Sequence, residues 1–140
     1  MKIITGDTII LHCSATTPDP KIDVDTIRRW HVKGRGWSDI GYHFVILTDG
    51  RIQRGRPLNR NGAHTKGHNE NIGVCYVGGV ATDGKPKDTM TALQVDSFER
   101  LVKWLRLITG KRYNIKGHND YTNLKACPSF RVDVKFKHLL

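Results

Sequence analysis

Residues 8–13 read TIILHC, a run of β-branched and apolar side chains ending in a histidine and a cysteine. Gly6 and Asp7 lie before it, and the breaker PDPK (18–21) lies after it. A short apolar run between such signals is a buried strand, here over 8–12. Side chains alternate along a strand, so His12 and Cys13 point to opposite faces. An imidazole at the end of a buried strand is costly unless something pairs with it. That partner governs both the architecture and the chemistry, and the rest of the chain supplies the candidates.

Outward from this strand, 23–33 has helical spacing. Val24, Ile27 and Trp30 fall at every third position, acidic residues occupy the first turn, and Gly34 ends the run. YHFVIL (42–47), Asp49-Gly50 and 51–54 have the pattern of a hairpin, since Asp-Gly between two strand-like runs favours a tight turn. Alternation puts Tyr42, Phe44 and Ile46 on one face, and His43, Val45 and Leu47 on the other. NIGVCYVGG (71–79) reads as a further buried strand closing in glycines. Over 91–109, Leu93, Phe98, Leu101, Val102, Leu105 and Ile108 form one apolar stripe, with Gly110 after it. Residues 115–117 predict a short strand and 129–139 a closing helix. No repeat or linker divides the chain. Residues 1–140 are therefore expected to be a single α/β domain, a central mixed β-sheet flanked by helices.

Composition narrows the function. With 38% hydrophobic and 26% charged residues, the chain suits a globular enzyme or binding module. No apolar run reaches the roughly eighteen residues of a membrane span, and the N-terminus lacks the apolar segment of a signal peptide. Three widely spaced cysteines without a CxxC pair make a poor disulfide framework and fit reduced thiols. A net charge of +10 draws polyanions such as nucleic acid or anionic cell wall, and equally serves solubility. No phosphate-binding glycine motif, zinc finger, RNP motif or helix-turn-helix is present, so direct nucleic-acid binding is not expected.

The chain has seven histidines. His118 follows the short strand at 115–117, and Cys127 closes the loop after it, in GHNDYTNLKACPSF (117–130). Read alone, Cys127 is a buried filler, half of a disulfide, a nucleophile or a metal ligand. If strands 8–12 and 115–117 run side by side, His12 and His118 meet at their ends, and the loop 119–126 can return Cys127 to the same point. Two imidazoles and a thiolate suit zinc, and three protein ligands leave a fourth position for water. No local metal signature accompanies them.

LHCSAT (11–16), GYHFVI with its following DG (41–50), GAHTKGHNENIGVCYVGG (62–79) and KACPSF (125–130) together resemble the zinc-dependent N-acetylmuramoyl-L-alanine amidases. That family includes the amidase-type lysozymes of bacteriophages and is related to the peptidoglycan recognition proteins. The likeness runs from about Ile9 to Phe130, in order and with similar spacing. It implies an amidase fold carrying one zinc on His12, His118 and Cys127, with Tyr42 and Lys125 as catalytic residues. Substrate contacts fall around His64, Lys66 and Asn69 in the glycine-flanked loop, with His43 nearby. Without the resemblance, Tyr42 is a strand aromatic, Lys125 a loop lysine, and His43 a core or supporting histidine.

The reaction implied is hydrolysis of the amide between N-acetylmuramic acid and L-alanine in peptidoglycan, as in a phage endolysin that lyses its host. The alternative on the same fold is a non-catalytic peptidoglycan-binding module. A monomer made in the host cytoplasm, reaching the wall after the inner membrane is breached, is expected. Some phage amidases also inhibit the phage RNA polymerase. That role rests on surface outside the four motifs, so the polymerase is carried only as an open partner.

Overall fold

The computed structural model describes residues 2–140. Five strands form one sheet: β1 (Thr8–Cys13), β2 (Phe44–Ile46), β3 (Ile52–Arg54), β4 (Ile72–Tyr76) and β5 (Asn114–Gly117). Their spatial order is β3-β2-β4-β1-β5. β1 pairs in parallel with both β4 and β5, β2 pairs in parallel with β4, and β3 is antiparallel to β2. The sheet is therefore mixed, as expected. β1 has neighbours on both sides and every residue of it is buried, which explains an apolar run without polar alternation.

Each face of the sheet carries its own core. On one, Ile9, Leu11, Phe44, Ile46, Ile72 and Val74 pack against Phe98, Leu101, Val102 and Leu105 of α2 (Ala92–Thr109), with Val132 of α3 (Val132–Lys135) and Phe136. On the other, Val45, Leu47, Cys75 and Val77 meet Val24 and Ile27 of α1 (Val24–Arg29), together with Ile22 and Ile40. Burying each such side chain contributes about 1.5–3 kcal/mol.

Local chemistry sets the helix ends. Asp23 and Thr26 cap α1 reciprocally, Thr91 and Gln94 do the same for α2, and Gly110 closes α2 at φ 72°. The hairpin is present, with Phe44 opposite Arg54 and Ile46 opposite Ile52.

Four expectations need correction. The helix over 23–33 is a six-residue α-helix followed by a π turn (Trp30–Gly34). The extra residue in that turn buries His31 and leaves Trp30 43% exposed, out of the apolar stripe. On α2 the stripe is narrower than read: Leu93 and Ile108 lie at the exposed ends of the helix, beyond the reach of the sheet. The closing helix is one turn of α-helix and a 3₁₀ turn (Lys137–Leu139). Finally, Tyr42 precedes β2 and escapes its alternation, packing with the Val45 side rather than with Phe44. Gly55 and Arg56 donate their amides to the carbonyls of His43 and Tyr42, continuing the pairing past the regular ladder.

Candidate metal centre and active site

The carboxyl ends of parallel strands are where open α/β sheets hold ligands, and here His12, near the end of β1, and His118, directly after β5, converge. Their ring centroids are 4.7 Å apart. Register explains this: Leu11 is opposite Gly117, so the next residue of each strand emerges at the same level. Cys127 arrives from the loop. Asn119 donates its amide to the Cys127 carbonyl (2.9 Å), Tyr76 its hydroxyl to the Pro128 carbonyl (2.7 Å), and Ser129 its hydroxyl to the Gly79 carbonyl (2.8 Å). Gly79, at φ 99°, is required here, because a Cβ would stand 2.4 Å from Cys13 Sγ.

One ligand atom from each of His12, His118 and Cys127 falls within 4.8 Å of the other two, the one such histidine–cysteine–carboxylate group among the described residues. A tetrahedral zinc with bonds of about 2.0–2.3 Å separates its ligands by roughly 3.3–3.7 Å, inside that limit, and two imidazoles with a thiolate are the donor set this ion takes. Burial holds the His12 imidazole well below its ordinary pKa, helped by His64 and His118, and burial then the Lys125 charge lower that of His118. Both rings are thereby kept neutral, as metal ligands must be. The Cys13 amide donates to Cys127 Sγ at 3.1 Å. Without a metal, the neighbouring Cys13 thiol and burial push the Cys127 thiol up.

Beside this group a cleft of about 270 Å³ is lined by Ser14, Trp30, Arg35, Trp37, Tyr42 and Lys125, among others. A second hollow of about 400 Å³ adjoins it through His118 and Lys125 and includes Lys66, Tyr121 and Leu124. The Tyr42 ring lies 5.1 Å from that of His12, and burial raises its hydroxyl pKa well above the usual value. The phenol is thus a proton-bearing donor. Lys125 is exposed on the loop.

The remaining candidates divide. Lys66 faces the second hollow. Asn69 turns its Oδ1 inward, accepting from the amides of His64 (2.8 Å) and Thr65 (2.9 Å), so that oxygen braces the loop and does not await a substrate. His43 lies away from the cleft: it is buried, its Nδ1 accepts from the Gly73 amide (3.0 Å), and its Nε2 donates to the Arg60 carbonyl (2.8 Å). His64 reaches the cleft edge, yet both its ring nitrogens are engaged inside the protein. Trp30, His31, Arg35 and Trp37 were absent from the sequence candidates. A π turn has no sequence signature, and Trp30 sat on the helical stripe as a core residue.

Comparison with known proteins identifies the family and the fold. The N-acetylmuramoyl-L-alanine amidase family matches over residues 4–130. The endolysin of Enterobacteria phage T3 is 43% identical over 127 residues, covering 90% of this chain and 82% of that protein. Among solved structures, the N-acetylmuramoyl-L-alanine amidase LysC of Clostridium intestinale superposes with a TM-score of 0.75 at 28% identity, covering 98% and 93% of the two chains. The bumblebee recognition protein PGRP-SA shares the fold at a TM-score of 0.80 and 22% identity, over 99% of this chain and 86% of its own. The chain belongs to the N-acetylmuramoyl-L-alanine amidase family.

Proposed function

We propose that this amidase cleaves the bond between N-acetylmuramic acid and L-alanine of peptidoglycan, as a phage endolysin does, and that it requires one zinc ion held by His12, His118 and Cys127. The observation that carries this reading is the convergence of those three ligand atoms within 4.8 Å at the floor of a solvent-open cleft. When bound, zinc acidifies a water towards a pKa of about 7 and polarises the scissile carbonyl.

The protein's own residues do the rest. Tyr42, half-buried in the cleft wall, keeps its proton because burial raises its hydroxyl pKa, so it donates a hydrogen bond to the carbonyl oxygen or to the departing nitrogen. Lys125 stands at the junction of the two hollows and supplies positive charge where the carbonyl oxygen becomes negative. A substrate lying across both hollows places its scissile bond between them, glycan to one side and peptide to the other. All these residues come from one chain, so a monomer suffices as the active unit in this reading. It would be made in the host cytoplasm and act on the wall. An RNA polymerase contact would use other surface, and a pull-down with purified polymerase tests it separately.

The deciding test is mass spectrometry of muropeptides after digestion of purified wall, with and without EDTA and added zinc. Free stem peptides with an L-alanine N-terminus, lost on chelation and regained with zinc, are expected. Metal-loaded protein that binds wall and releases no peptide would instead make the chain a recognition module.

A further inference from the structure

His64 is the histidine whose placement the substrate-contact expectation leaves unexplained. Its ring lies flat on β4, in space that exists because residue 73 is glycine: a Cβ there would stand 2.5 Å from His64 Cδ2 and 2.8 Å from Nε2. Its Nε2 is 2.9 Å from the Asn71 carbonyl oxygen, and its Nδ1 is 2.9 Å from His12 Nε2 and 3.0 Å from Thr65 Oγ1.

The proton positions follow by elimination. A carbonyl oxygen only accepts, so His64 carries its proton on Nε2 and presents a bare lone pair at Nδ1. Two lone pairs facing each other at 2.9 Å would repel, so His12 must carry its proton on Nε2. Thr65 Oγ1, 3.3 Å from that same nitrogen, rotates its hydroxyl to suit. His12 is left with a bare Nδ1, and no protein group hydrogen-bonds to that atom among the described residues. The order Asn71 carbonyl, His64, His12 is thus a relay ending in one free lone pair. His118, by contrast, has no hydrogen bond to its ring among the described residues.

We infer that His64 is a positioning residue: it fixes the tautomer and rotamer of His12 so that Nδ1 is presented to the metal, and Gly73 is glycine to seat it. This rests on the zinc reading above. Partners that orient ligating histidines typically contribute 10–100-fold in metal affinity.

The test is zinc affinity of the full chain, measured by competition with a chromophoric chelator for the wild type, His64→Ala and His64→Gln. Long-range ¹H–¹⁵N spectra of the metal-free imidazoles accompany it. The wild type should show Nε2–H for both His12 and His64. His64→Ala should bind zinc about 10–100-fold more weakly. His64→Gln should recover much of that loss, because its amide oxygen can accept from His12 while its amide nitrogen donates to Asn71. Wild-type zinc affinity in His64→Ala with only KM raised would overturn the inference and return His64 to substrate contact. So would an Nδ1–H signal for either ring. A wild type that binds no zinc fails the metal reading itself, a separate outcome. Thermal melts of each variant identify unfolding, and rescue by glutamine distinguishes positioning from bulk packing.

Discussion

Cys127 carries the largest consequence of any single residue, because its thiol is the one that converges with the His12 and His118 imidazoles. Cys127→Ala and His118→Ala should each lose zinc, measured by elemental analysis, together with release of peptides from wall. Tyr42→Phe and Lys125→Ala should keep zinc while losing roughly 10²–10³-fold in rate, the usual scale for removing a group that stabilises developing charge or transfers a proton. Metal loss in either of the latter would place those residues in the wrong role. Cys13, next to His12 in the chain, packs under Gly79 with its thiol beside that of Cys127. At this scale residue types were legible: an imidazole ending a buried strand demanded a partner. Which nitrogen it offers was not, because that depends on His64, fifty-two residues away.

At the scale of elements, α2 is the clearest case of pattern becoming structure, and its caps and buried stripe allow graded predictions. Leu101→Ala should cost about 2–5 kcal/mol in urea unfolding, whereas Leu107→Ala, at a position 81% exposed, should change stability by less than about 0.5 kcal/mol. Thr91→Ala, which removes the cap, should fall between them at about 1 kcal/mol. The π turn after α1 shows where periodicity fails. One inserted residue rotates the helix face, so Trp30 turns out and His31 turns in to accept from the Gly41 amide at 2.9 Å. A three-residue spacing in the sequence cannot reveal that rotation, since its cause is the space between helix and sheet.

Over the whole molecule, buried neutral histidines make stability depend on pH. His31 and His64 are each held at about 4, chiefly by burial, against 6.5 when unfolded. Between those values the unfolded chain binds protons that the native state does not, so stability is full above about pH 6.5 and falls as pH drops towards 4. Melting curves of the metal-free protein should show Tm lower by at least about 5 °C at pH 5 than at pH 7, and His31→Gln should flatten part of that slope. The charge of +10 acts over a longer range. Raising salt from 0.1 to 1 M shortens screening from about 10 to 3 Å, so digestion of intact wall should slow while cleavage of a small soluble muropeptide changes little. By itself the sequence determined the buried strand at 8–12, the Asp-Gly hairpin, the capped helix at 91–109 and the residue types able to hold a metal, because propensity, periodicity and donor chemistry are local properties. Tertiary structure alone decided that β1 lies between β4 and β5, that Tyr42 leaves its strand face for the cleft, and that His64 sits on glycine behind His12. Those outcomes depend on register and on space between distant segments, which no neighbouring residues encode.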